Sequence, residues 1–150
     1  MALDVTLIKK LRDETQASIA DCRKALEETS GNYDKAIEWL KKHGIEKAAK
    51  KADRETGQGL VESYIHQNGK VGAIIVINCE TDFVARTDGF KKLAHEVAMQ
   101  VAAMDPKDVD TLLKQEYIRD GSMTIEQLVK QAIGTLGENI VIKRISRFEI

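Results

Sequence analysis

Proline is almost absent from this chain: Pro106 stands alone among 150 residues. Proline-rich linkers and extended proline-rich recognition segments are thereby excluded, and helices can run without interruption. Aromatic residues are scarce, at 5%, so a surface built on stacked rings is not expected and an aromatic in a polar setting stands out. The two cysteines, Cys22 and Cys79, lie far apart and form no Cys-x-x-Cys pair, which argues against a disulfide scaffold or a structural zinc site. Neither sign of charge prevails. With 23 basic and 24 acidic side chains the net charge is -1, which offers no protein-wide field for nucleic acid but leaves room for a local patch. The longest apolar stretch, Val71–Ile77, is far too short to cross a bilayer, and Met1-Ala2-Leu3-Asp4 does not open like a signal peptide. What is present, a hydrophobic content of 43%, suffices for a packed core. A cytoplasmic protein of mixed α and β structure is expected.

The hydrophobic period changes once along the chain. Residues 1 to about 43 read as three short helices, carrying Leu7, Ile8 and Leu11, then Ile19, Cys22, Ala25 and Leu26, then Tyr33, Ala36, Ile37 and Leu40. Ser18 and Asn32 are placed to cap the second and third, and Gly31 and Gly44 punctuate helix ends. Lys41–Arg54 is basic, and Thr56-Gly57-Gln58-Gly59 reads as a join. This sets expected domains of 1–54 and 55–150. From Leu60 the period becomes two, and Asn68-Gly69 predicts a two-residue hairpin turn. The return strand, Lys70–Cys79, is apolar on both faces and is expected to lie centrally, covered on both sides. A helical turn over Asp82–Arg86 follows, then a long helix from Asp88 to Met104 that Pro106 stops. Leu112, Leu113 and Tyr117 suggest a further short helix. Thr124 and Gln127 form a capping box for the next one, and Ile140–Ile150 can return as the third antiparallel strand. The expected fold is α+β: a three-helix module, then a three-stranded antiparallel sheet flanked by helices.

No phosphate loop, His-Glu-x-x-His motif or nucleophile elbow is present. Cys79 with His95 invites a nucleophile reading, but a cysteine ending a buried strand is more often core. His43, His66 and His95 fall in different elements and make a poor metal set. The basic run Lys41–Arg54 has no interleaved aromatic residue and reads first as a solvated helical linker. The unusual segment is Thr81-Asp82-Phe83-Val84-Ala85, where the chain leaves a central strand for a helix. Phe83 either packs inward, the commoner outcome by pattern alone, or projects from a rigid tip beside Asp82. A projecting aromatic next to an acid suits insertion into a partner's pocket.

At these residues the chain resembles the bacterial elongation factor Ts family. One family signature is matched by Val76-Ile77-Asn78-Cys79-Glu80-Thr81-Asp82-Phe83-Val84-Ala85, and the other by Leu11-Arg12-Asp13-Glu14-Thr15 through Asp21-Cys22-Arg23-Lys24-Ala25-Leu26. Similarity continues at Lys35–Leu40 and at Leu136-Gly137-Glu138-Asn139-Ile140. The resemblance implies a guanine-nucleotide exchange factor, not an enzyme, that binds elongation factor Tu and carries no cofactor or metal of its own. It implies a ubiquitin-associated-like module that docks through Leu11, Arg12, Thr15, Ile19 and Ala20. It also implies a tip of Thr81, Asp82, Phe83 and Val84 that disturbs the partner's magnesium and phosphate site. His95 and Gln100, on the long helix, are further candidates to face the partner. The family's glycines and methionine pair before the second helix are replaced here by Gln16, Ser18, Ile19 and Ala20, so Ile19 can keep an apolar contact while Ala20 offers less surface. Short members pair through their sheets, which implies a homodimer, with Cys79 near the interface. No membrane and no direct nucleic-acid partner is expected. From a different class, an adaptor whose helical module binds a helix or a ubiquitin-like surface is the competing reading; it gives no reason for Asp82-Phe83.

Overall fold

The computed structural model describes residues 2–150. Three helices come first: α1 Val5–Thr15, α2 Ile19–Glu28 and α3 Tyr33–Ala49. Their first turns are closed by Asp4, Ser18 and Asn32, whose side chains accept backbone N–H groups of Thr6, Asp21 and Lys35. Strands β1 Gln58–Ile65 and β2 Val71–Cys79 form a hairpin. After the short helix α4 Asp82–Ala85 come α5 Asp88–Met104 and α6 Val109–Lys114. A small ribbon, β3 Glu116–Tyr117 with β4 Asp120–Thr124, precedes α7 Ile125–Leu136 and the last strand, β5 Ile140–Glu149. The main sheet has the order β1-β2-β5 and is antiparallel throughout. The fold is thus the expected helices followed by a three-stranded antiparallel sheet with flanking helices.

Leu11, Cys22, Ala25, Leu26, Ala36 and Leu40 bury one another in the first apolar cluster. Ile19, read as part of that stripe, starts α2 and is exposed. The larger second cluster lies between the sheet and α5 and α7; Ala48, from the far end of α3, belongs to it. Gly44 does not end α3. It lies within the helix where α3 crosses α7, and a Cβ on Gly134 of α7 would come within 2.6 Å of the Gly44 Cα. Two facing glycines let the helix axes approach closely, and the helix continues because the crossing buries it.

Three other local readings change. The turn between β1 and β2 is longer than two residues: the Gly69 N–H bonds the His66 carbonyl at 2.8 Å, and of Asn68 and Gly69 only the glycine has positive φ, 70°. Tyr117 sits in β3, not in a helix. The Gln100 side chain gives its amide to the Glu116 carbonyl (3.0 Å) and accepts the Ile118 N–H (3.0 Å), acting as a strand partner there. The Tyr117 hydroxyl donates to buried Glu96 at 2.8 Å, beside Arg119 at 2.7 Å. Finally, β2 is central but covered on one face only. Ala73, Ile75, Ile77 and Cys79 point into the core with no exposure, whereas Ile74 is 44% exposed on the outer face. Exposed Val61, Ile65 and Phe148 share that face: Val61 pairs with Val76, and Ile65 and Phe148 both flank Gly72.

Candidate functional site

The end of β2 delivers the chain to a four-residue helix, too short to hold itself by its own hydrogen bonds. Thr81 is its N-cap, with Oγ1 accepting the Val84 N–H at 3.3 Å. Val84 and Ala85 are buried and anchor the turn. Phe83 points the other way and is 82% exposed. Such exposure of a large aromatic is unfavourable in water and does nothing for the fold. Beside it, Asp82 pairs with Arg86 at 2.5 Å, one helical turn on, with both side chains mostly in solvent. An acid and a bare phenyl ring therefore share one small protrusion on a fixed base.

That base is built by the chain leaving α7. Gly137, at φ 81°, ends the helix and turns the next two residues toward β2. Glu138 accepts the Thr81 N–H at 2.9 Å and the Thr81 hydroxyl at 2.7 Å. Reciprocally, Glu80 accepts the Asn139 N–H at 2.8 Å. The buried Asn139 amide donates to the carbonyls of Ala52 and Arg54, drawing in the stretch after α3. None of Glu80, Glu138 and Asn139 stands out by residue type. The signal for Glu138 and Asn139 was the motif Leu136–Ile140, and that for Glu80 the signature Val76–Ala85; both resemble the family, and neither gives these three residues a role.

The structure sorts the site candidates by exposure. Thr81, Asp82 and Phe83 are on the surface together, but Val84 is buried and supports the tip from below. On the helical module Arg12, Ile19 and Ala20 are exposed and Thr15 is half-buried, its hydroxyl donating to the Leu11 carbonyl at 2.7 Å. Leu11 itself has no exposure and belongs to the module's core. Gln100 is likewise fully buried against β3, so it does not face outward. His95 is exposed and meets Tyr64 edge-on, with ring centroids 5.7 Å apart.

Cys79 faces inward, away from the bare outer side of the sheet, with its thiol 3.1 Å from the Thr81 carbonyl. Burial, and then the charge of Glu138, push the thiol above its ordinary pKa. A thiol held protonated is a core group, not a nucleophile. Within the basic run, Lys47 binds Asp21 at 2.6 Å and Arg54 lies 3.6 Å from Glu80, so part of that charge is neutralised internally. Among the described residues no group of three or more His, Cys, Asp or Glu could hold a metal ion, and no helix is long and apolar enough to cross a membrane.

Residues 80–150, from the base of the tip to the end of β5, match the family model described as Elongation factor TS. Elongation factor Ts of Coprothermobacter proteolyticus is 40% identical over 195 aligned positions, which cover the whole of this chain and 99% of that protein. This chain belongs to the elongation factor Ts family. Elongation factor Ts of a Picosynechococcus species is 42% identical, across 97% of this chain and 88% of that protein. Against elongation factor Ts of a Nostoc species the identity is 47%, but the chain spans only 47% of that longer relative. The family varies in length internally too, since 195 aligned positions accommodate the 150 residues of this member.

Proposed function

We propose that this chain is a guanine-nucleotide exchange factor that binds elongation factor Tu carrying GDP in the cytoplasm and hastens release of the nucleotide. The reading rests on family membership together with one observation: Phe83 is held in solvent, 82% exposed, on a tip whose neighbours Val84 and Ala85 are buried. GDP in a GTPase is gripped by loop amides, a lysine and a magnesium ion. Phe83 enters beside that site with Asp82 and disturbs the surroundings of the ion. By linkage, a factor that prefers the nucleotide-free form weakens nucleotide binding by the same factor. Release and uptake are accelerated alike, and the supply of GTP sets the direction. The factor needs no covalent chemistry and no cofactor.

Residues 1–54 act in this reading as a docking module, with Arg12, Thr15, Ile19 and Ala20 toward the GTPase. Ile19 is the apolar centre of that surface, being 56% exposed. A second copy of the chain covers the outer face of the sheet, where Val61, Ile65, Ile74 and Phe148 would otherwise stay in water. Residues 55–150 then form both the dimer and the tip.

Release of a fluorescent GDP analogue from elongation factor Tu tests the reading. The intact protein should accelerate release. Burying the Phe83 ring in the partner is worth about 2 kcal/mol, so Phe83→Ala should cut the acceleration about thirtyfold while leaving the fold intact. Binding without acceleration by the intact protein would refute exchange and favour an adaptor role.

A further inference from the structure

We infer that Glu138 is the positioning residue of the Phe83 tip: its carboxylate, and not the short helix itself, sets the direction in which the ring projects. The inference rests on the exchange reading above. Three observations carry it. First, α4 has four residues, fewer than a helix needs to hold itself in water. Second, Phe83 is almost free of contacts with its own chain, so packing of the ring cannot orient it. Third, the tip's cap residue is held at two points by one group: the Thr81 N–H and hydroxyl both donate to Glu138, at 2.9 and 2.7 Å.

The hydroxyl links brace and helix. Its proton goes to Glu138, and its oxygen accepts the N–H of Val84, the residue after Phe83. Charge-assisted bonds of this kind are about twice as strong as neutral ones. The brace is itself tethered, because the neighbouring Asn139 donates its N–H to Glu80 and its side-chain amide to the Ala52 and Arg54 carbonyls. Glu138 lies far from Phe83 in sequence and is half-buried at the base of the tip. Its contribution to exchange is the orientation of Phe83 before contact, so that the ring enters its pocket without first being ordered.

The test is a double-mutant cycle in the GDP-release assay, using Glu138→Ala, Phe83→Ala and the pair, with thermal unfolding and partner titration for each. Glu138→Ala should lower maximal stimulated release about tenfold, equivalent to about 1.4 kcal/mol. The half-saturating concentration should change little, because docking through the helical module is untouched. In the Phe83→Ala background the same substitution should have no further effect. An equal loss in both backgrounds would mean that Glu138 acts without Phe83, and the inference would fall. Should Glu138→Ala unfold the protein, Thr81→Val and Thr81→Ser decide: valine removes the hydroxyl link and should slow release, whereas serine restores it and should not. Equal rates for the two would overturn the inference. If Phe83→Ala alone leaves release unchanged, the exchange reading fails at the tip; if Phe83→Ala slows release and Glu138→Ala does not, only the positioning role fails.

Discussion

Replacing Gly134 by alanine should loosen the contact between α3 and α7, whereas the same change at Gly44, across the crossing, should tighten the protein. The two glycines face each other but are not equivalent. A Cβ on Gly134 would lie 2.6 Å from the Gly44 Cα and 2.8 Å from its carbonyl oxygen, backbone atoms that cannot rotate away. A Cβ on Gly44 would meet its nearest atoms, in Gln131, at 3.7 and 3.8 Å, an ordinary contact. Alanine in a helix interior gains about 0.5–1 kcal/mol over glycine in either position. At Gly134 that gain is set against overpacking of about 1–3 kcal/mol, leaving a net loss of about 1 kcal/mol. At Gly44 nothing opposes it. Each 1 kcal/mol shifts the melting temperature of a domain this size by about 2–4 °C. Calorimetry should therefore find Gly134→Ala lower than the parent by a few degrees and Gly44→Ala higher. Hydrogen exchange should place the loss in α3 and α7. A Gly134→Ala protein as stable as the parent, or two variants shifted the same way, would refute the close crossing.

Acid should reach Asp21 only after it has reached an ordinary surface carboxylate. Burial raises its pKa, but hydrogen bonds from Lys47 and Ser18 and the nearby charges of Lys47 and His43 outweigh that and hold it below the ordinary 3.8. A carboxylate depressed in the folded state adds stability that is present above its ordinary pKa and lost as pH falls through the lower folded value. Asp21→Asn should thus be less stable than the parent at neutral pH, with the gap closing below about pH 4; an unchanging gap from pH 7 to 3, measured by urea unfolding, would contradict the pairing. On the sheet's outer face, Ile74→Glu should leave the monomer folded and convert the proposed dimer to monomers in sedimentation velocity. A parent that sediments as a monomer, or a variant that stays dimeric, would rule that surface out as the interface.

The long helix α5, the order of the main strands and the caps at Ser18, Asn32 and Thr124 were all legible, because each rests on short-range periodicity or on one polar side chain at a fixed offset. The α3 helix was read too short because a glycine looks like a stop; only the helix packed across it shows why it is tolerated. The β3–β4 ribbon was missed for a related reason. Its five-residue strand is polar, and its partner is held in place by Gln100 and Glu96 from α5, contacts that no local pattern carries. At the site, the segment around Phe83 was legible as a type, but its direction was not, since inward packing and projection need the same residues. Leu11, Val84 and Gln100 were assigned to surfaces on resemblance and prove to be buried. Leu11 and Val84 lie beside exposed candidates in the same motif, and Gln100 lies five residues along α5 from exposed His95; a resemblance records a neighbourhood without saying which of its members reach solvent.

The place of β2 between β1 and β5 has a consequence during synthesis. The hairpin partner β1 immediately precedes it, and hairpins form within about 1–10 μs. Its other partner, β5, is made only after α4 to α7. At a ribosomal rate of about 5–20 residues per second, β2 waits several seconds between leaving the ribosome and finding that neighbour. Throughout the delay the strand Val71–Cys79 has one unpaired edge, and Ile75 and Ile77 lack part of their eventual cover. Glu138 arrives as late as β5 does. A nascent chain thus holds its most aggregation-prone strand half-paired, and its Phe83 tip unbraced, until the same final segment settles both.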